Sequence, residues 1–320
     1  MTSLIPSAVT RSALAAALLA VTGAAFAAAP MAKTQAPGFY RMMVGDFEVT
    51  ALSDGTVDLP MDKLLHEKPA KLQGALSKHF LKAPVETSVN SFLVNTGSKL
   101  VLVDTGAGTL FGPTLGKLLA SLQAAGYQPE QVDEIYITHL HPDHVGGLGN
   151  AEKAVFPNAV VRADKHDADF WLSKAKQDAA PEQAKGFFQG AQASLAAYAG
   201  ASRFKPFDGN TELVPGIRAT SSYGHTPGHT TYVVESRGEK LVLIGDLLHA
   251  HFIQFDDPSV TIEFDSDTKA ALAARKAAFA SAAKGGYLIG AAHLPFPGVG
   301  HLLSSGKGYR FVPVPYSVPR

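Results

Sequence analysis

One short stretch constrains this chain more than any other: Thr138-His139-Leu140-His141-Pro142-Asp143-His144. It follows a segment, Gln131 to Thr138, whose apolar members Val132, Ile135 and Ile137 read as a strand. Four side chains of metal-ligating type fall within six residues, and a proline among them stiffens the loop. Such a cluster can converge on a small volume, and sites in layered α/β proteins collect where strands end. The alternative, a solvated histidine-rich loop, does not explain why the cluster continues a buried-looking strand.

Further candidates lie downstream, again at the ends of elements. His225-Thr226-Pro227-Gly228-His229 sits between two strands, Asp246 ends a strand over 240–245, and His293 follows a strand from Tyr287 to Ala291. The chain has no cysteine, so thiolate ligands and disulfides are both excluded. Imidazole and carboxylate donors without thiolate suit zinc, with iron, manganese or cobalt also compatible.

The rest of the 320 residues reads as one globular body behind a leader. Arg11, the small apolar run Ser12 to Val21 and the Ala25 to Pro30 stretch have the order of a secretory signal peptide, assigned to residues 1–29. Export to a bacterial periplasm is the expectation. Residues 30–37 are expected to be a disordered lead-in and 38–320 a single domain. An apolar fraction of 46% is enough for a large core, and a formal net charge of zero argues against nucleic acid or an anionic membrane as partner. Hairpins are predicted at 40–52 and 89–104, and a strand at 159–163. Further strands are expected near 213–221, 230–236 and 240–245. The 3.6-residue pattern predicts helices over 113–125, 164–177, 181–199 and 267–284. One echo stands out: Phe92 to Asp104 matches Tyr232 to Asp246, both as hairpins whose second strand ends on an aspartate. That suggests a duplicated unit, two sheets stacked with helices outside.

The combination of H-x-H-x-D-H, G-H-x-x-G-H, a strand-ending aspartate and a final strand-ending histidine resembles the metallo-β-lactamase superfamily. The resemblance implies an α/β fold, the αβ/βα sandwich, and two divalent metal ions per chain, zinc foremost. By that pattern His139, His141 and His229 hold the first ion, Asp143, His144 and His293 the second, and Asp246 bridges them. His225 is then left with a structural role, and Asp104 becomes a carboxylate that orients a ligand histidine. Two such ions activate a shared water and polarise a carbonyl or phosphoryl oxygen, so no serine or cysteine nucleophile is required. Asp143 and Asp246 are the residues expected to serve catalysis directly.

From Pro37 to Ser317 the chain is similar to the methyl parathion hydrolase group and its lactone-hydrolysing relatives. The stretches that carry this are GDFEVTALSDGTVDLP at 45–60, QFDDPSV at 254–260 and KGYRFVP at 307–313. The resemblance implies an aromatic substrate pocket from Phe111, Trp171, Phe187 and Phe188, and a homodimer; the Pro-rich tail and the aromatic segment 187–198 are the candidate surfaces for the partner subunit. Leu64, His249, Ile262 and Phe264 stand where the specialised organophosphate hydrolases carry Arg, Leu, Thr and Leu. Bulky Ile262 and Phe264 narrow the pocket, and His249, three residues after Asp246, borders the metals. A flat lactone or aryl ester such as dihydrocoumarin is therefore the expected neutral substrate, with phosphotriester turnover as a weaker activity. A dedicated phosphotriesterase is the alternative, and a periplasmic metal-binding protein the non-enzymatic one.

Overall fold

Between Leu100 and Val103 the side chains alternate between two buried environments, Leu100 and Leu102 on one side, Val101 and Val103 on the other. The same alternation recurs at Leu241, Val242 and Leu243. Strands that are apolar on both faces belong inside a layered molecule, and this is where they lie. The computed structural model describes residues 29–318. The leader assigned to 1–29 falls, but for its last residue, outside them, and 30–37 carry no helix or strand.

The first sheet runs Phe39–Val44, Phe47–Leu59, Val85–Asn95, Leu100–Val103, Glu134–Tyr136 and Val160–Arg162, in spatial as in chain order. Its first four strands pair antiparallel and its last two join in parallel. The second sheet, in spatial order, runs Gly308–Pro313, Val299–Ser305, Leu288–Gly290, Glu239–Leu243, Thr230–Ser236, Ile217–Ser221 and Thr211–Val214. The inner faces meet through Val49, Phe92, Val101 and Tyr136 of the first sheet and Ile217, Tyr232 and Leu241 of the second. Helices Leu118–Ala124 and Glu182–Gly200 cover the outside of the first sheet. Helix Thr268–Gly285 covers the second through Phe279 and Ala282. The result is the αβ/βα sandwich. The two halves of the sequence echo supply matching hairpins, one to each sheet, with Phe92 opposite Val103 and Tyr232 opposite Leu243.

Several boundaries differ from the sequence reading. The helix expected over 113–125 begins only at Leu118, because the loop before it is tied to the buried carboxylate of Asp54. The helix expected over 164–177 is two, Lys165–Trp171 and Lys174–Ala179, the second capped by Ser173 Oγ accepting from Lys176 N–H. Segment 213–221 is a hairpin turning at Pro215-Gly216, not one strand. Helix Pro69–Lys78 and the terminal hairpin Val299–Ser305/Gly308–Pro313 had no counterpart in the periodicity reading. Phe188, Leu195 and Tyr198, expected at a subunit contact, are buried within this chain's own core.

Candidate metal centre

Strand Glu134–Tyr136 delivers the histidine cluster, and main-chain geometry fixes how. Thr138 donates its N–H to Asp104 Oδ1 and its hydroxyl to Asp104 Oδ2, both at 2.8 Å. Pro142 opens the short helix Pro142–Val145, where its missing N–H costs nothing. A buried carboxylate unmentioned by any motif, Asp167, then locks two loops together. It accepts the Leu140 N–H at 2.8 Å and the Gly228 N–H at 2.5 Å. Gly228 is required there, since a Cβ would lie 2.4 Å from the Asp167 nitrogen. Burial pushes the Asp167 carboxyl up to about 6, against the pull of its hydrogen bonds from Thr226, Leu140 and Gly228.

Two ligand groups result, sharing Asp246. In each, the ligand atoms lie within 4.8 Å of one another: His139, His141, His225 and Asp246 in the first, Asp143, His144, Asp246 and His293 in the second. Asp246 Oδ2 stands 3.6 Å from His139 Nε2, 3.4 Å from His225 Nε2 and 3.2 Å from His293 Nε2. Its Oδ1 stands 3.2 Å from His144 Nε2. Asp143 Oδ2 closes the second group at 3.6 Å from His144 Nε2 and 3.5 Å from His293 Nε2. Behind it, His144 Nδ1 meets Asp104 Oδ2 at 2.8 Å, the orienting role expected of Asp104.

His229 does not take the place assigned to it. Its Nε2 accepts the main-chain N–H of Asp246 at 3.0 Å and its Nδ1 meets Ser222 Oγ at 2.8 Å, so neither nitrogen is left for a metal. The position falls to His225, whose Nε2 lies 3.2 Å from His141 Nδ1 while its Nδ1 donates to Asp265 Oδ1 at 3.0 Å. Burial, with the neighbouring His225 charge, lowers His229 to about 3. For His225 burial is outweighed by Asp246 and Asp265, which lift it to about 9.

The site fits a pair of divalent cations. His139 Nε2, His144 Nε2 and Asp246 Oδ1 are buried and have no hydrogen-bond partner, a costly arrangement unless an ion completes them. Asp246 and Asp143, with Asp104 for His144, raise His144 and His293 against the effect of burial, so metal uptake competes with protons at these rings. Donors of nitrogen and oxygen only, in a buried pocket, match zinc-type coordination.

A cavity of about 570 Å³ opens beside His141, walled by Trp171, Phe187, Phe188 and Phe264. The His141 ring meets Trp171 and Phe187 edge-on, each at 5.1 Å between centroids, so the cavity adjoins the first ligand group directly. His249 lies on the other flank, its Nε2 3.0 Å from Asp246 Oδ2 and its ring stacked on His293 at 5.1 Å. There it lines a separate polar crevice of about 220 Å³ with His293, Thr87 and Ser88. Besides His249, three expected pocket residues are not brought to the cavity. Phe111 is on an exposed loop, and Leu64 and Ile262 pack into a core cluster with Leu65 and Phe252. Ile262 is fully buried because it pairs with Leu65 in a two-stranded ribbon, which aims it inward.

The family model for the metallo-beta-lactamase superfamily matches residues 84–303. A solved structure described as hydrolase AbOPH of the beta lactamase superfamily is 40% identical, with a TM-score of 0.85, covering 89% of this chain and all of that one. AidC, a dizinc quorum-quenching lactonase solved with the product N-hexanoyl-L-homoserine, is 30% identical, with a TM-score of 0.81 over 88% of this chain and 99% of that one. An N-acyl homoserine lactonase of Bacillus cereus is 27% identical over 153 residues, 47% of this chain and 52% of that protein. The match thus spans about half the length of this curated relative.

Proposed function

Because this chain belongs to the metallo-beta-lactamase superfamily and is a metal-dependent hydrolase of it, we propose that it opens lactones and aryl esters with two zinc ions. The observation that carries this reading is the paired ligand group sharing Asp246, set directly against an apolar, aromatic-walled cavity. The dizinc lactonase among its relatives supports the substrate class. Both N-acyl homoserine lactones, with the acyl chain in the cavity, and aryl-fused lactones such as dihydrocoumarin satisfy that chemistry.

His139, His141, His225 and Asp246 would hold one ion and Asp143, His144, His293 and Asp246 the other; together the pair supplies Lewis-acid activation of water and of the ester carbonyl. The protein's own groups do the rest. Trp171, Phe187, Phe188 and Phe264 bind the apolar part of the substrate and exclude water around it. Asp143 is the less buried of the two carboxylates, and its free lone pairs orient the attacking water. Burial lowers His249 to about 4, so its imidazole is neutral and offers a hydrogen bond to the departing oxygen rather than a full proton. A phenolate leaves without such help, an aliphatic alkoxide benefits from it. Phe264 against the cavity favours flat substrates, and phosphotriester hydrolysis is proposed as the weaker activity.

The test is kcat/KM of the zinc-loaded protein for N-hexanoyl homoserine lactone, dihydrocoumarin and methyl parathion. The reading requires a lactone to exceed the phosphotriester by at least about tenfold, with activity abolished in Asp246→Ala. A phosphotriester preference overturns the substrate class but keeps the centre. Export and a homodimer belong to the same proposal; N-terminal sequencing of the mature protein and sedimentation equilibrium test them.

A further inference from the structure

A fully buried arginine lies in helix Thr268–Gly285, in a layer otherwise filled by Ala271, Phe279 and Ala282. Arg275 Nε donates to the Leu247 carbonyl at 2.6 Å, and Nη1 donates to the carbonyls of Val260 at 2.5 Å and Pro258 at 3.2 Å. Its Nη2 has no hydrogen-bond partner and stands 3.7 Å from Asp265 Oδ2. One guanidinium thus grips the main chain next to the shared ligand Asp246, grips the loop leading to Asp265, and lays its charge beside the Asp265 carboxylate. Asp265 in turn accepts from His225 Nδ1 at 3.0 Å. The main chain runs in step, Ser266 donating to the His225 carbonyl at 2.9 Å and Asp267 to that of Gly224 at 2.8 Å.

We propose that Arg275 is a positioning residue for the first metal group, acting through Asp265 to turn His225 Nε2 toward Asp246. With Nδ1 engaged by Asp265 Oδ1 at 3.0 Å, His225 turns Nε2 to within 3.4 Å of Asp246 Oδ2, the face the ion would take. Arg275 Nη2, 3.7 Å from Asp265 Oδ2, holds that carboxylate from the side away from His225. The second group is built differently. Its orienting carboxylate, Asp104, is held by the Thr138 main chain and hydroxyl rather than by a cation. The two groups can therefore be loosened separately. Only a fork of donors reaches three carbonyls and flanks a carboxylate at once, so lysine is a partial substitute.

This inference rests on the two-metal reading, and the experiment separates the two. Metal-free protein is titrated with zinc against a chromogenic chelator. Wild type is expected to bind two ions. Asp265→Asn and Arg275→Met are expected to weaken one site by roughly 10- to 100-fold and leave the other within about threefold. Arg275→Lys falls between, and the Arg275→Met/Asp265→Asn double variant binds no worse than either single one. Asp104→Asn weakens the other site, so combining it with Asp265→Asn weakens both. Arg275→Met that melts earlier yet binds both ions as wild type does, or weakens both sites equally, overturns the proposal. Should Arg275→Met fail to fold, Asp265→Asn with wild-type zinc binding overturns it equally. A wild type that binds no zinc removes the two-metal reading and this inference with it.

Discussion

An imidazole in a metal site must turn one nitrogen to the ion and give the other to a partner that fixes its tautomer. His225 satisfies both demands, with Asp265 behind it and Asp246 in front. His229 fails the first, because Ser222 and the Asp246 main chain occupy both of its nitrogens. His225→Ala is therefore expected to retain one zinc ion fewer and to lose at least about 100-fold in kcat/KM. His229→Ala should keep both ions but lose about 1–3 kcal/mol of stability through the unpaired Asp246 N–H. Metal analysis after dialysis, read beside the melting temperature, decides between them, and the reverse pattern would return the ligand role to His229. The sequence made six ligand positions legible because His139, His141, Asp143, His144, Asp246 and His293 all follow directly on strands. It could not rank His225 against His229. The partners that decide the matter, Asp265 and the Asp246 main chain, lie 40 and 17 residues away.

Periodicity fails in elements whose shape is imposed from outside. The loop before Leu118 has helical spacing of leucines, yet Asp54 draws it out by accepting the N–H groups of Ala107, Gly116 and Leu118 at 2.9–3.0 Å. Gly116, at φ +78°, makes the turn that this needs. Asp54→Ala strands the buried N–H groups of Ala107 and Leu118, so a loss of about 2 kcal/mol or more is expected, seen as a lower urea midpoint at unchanged m. The short helices show a second external control. His251 opens helix His251–Gln254 and meets His79, at the end of helix Pro69–Lys78, edge-on at 6.3 Å. Burial, then the His79 charge, lowers His251 to about 4. Unfolded, it takes its proton near 6.5. Between those values the unfolded chain binds more protons, so this contribution is complete above pH 6.5 and lost as pH falls toward 4. Melting curves from pH 4 to 8 should show a shallower acid-side decline in His251→Gln than in wild type; parallel curves would assign the decline elsewhere.

At the scale of the molecule, the echo between Phe92–Asp104 and Tyr232–Asp246 becomes two sheets, each ending a hairpin at the centre with a carboxylate. Asp104 orients a ligand and Asp246 is one, so a repeat in sequence has diverged into two roles at one site. The ligands divide likewise. His139, His141, Asp143 and His144 follow a strand of the first sheet, while His225, Asp246 and His293 come from connections of the second. Ions held by these ligands would clasp the sandwich across its inner core. An ion bound by the folded state alone adds about 2.7 kcal/mol per site at 100 times its Kd. For a domain of this size each kcal/mol moves Tm by roughly 2–4 °C, so chelation is expected to lower Tm by about 10 °C or more. Hydrogen exchange locates the effect. If the ions clasp both sheets, chelation must raise exchange at Tyr136–His139 and at Leu243–Asp246 together, beyond what the hydrogen bonds from Tyr232 Oη to the Ile137 carbonyl and from Thr230 N–H to the Thr138 carbonyl protect. Deprotection confined to one of these ends would mean that the sheets hold together through their apolar faces alone, and that the ions serve chemistry without serving the fold.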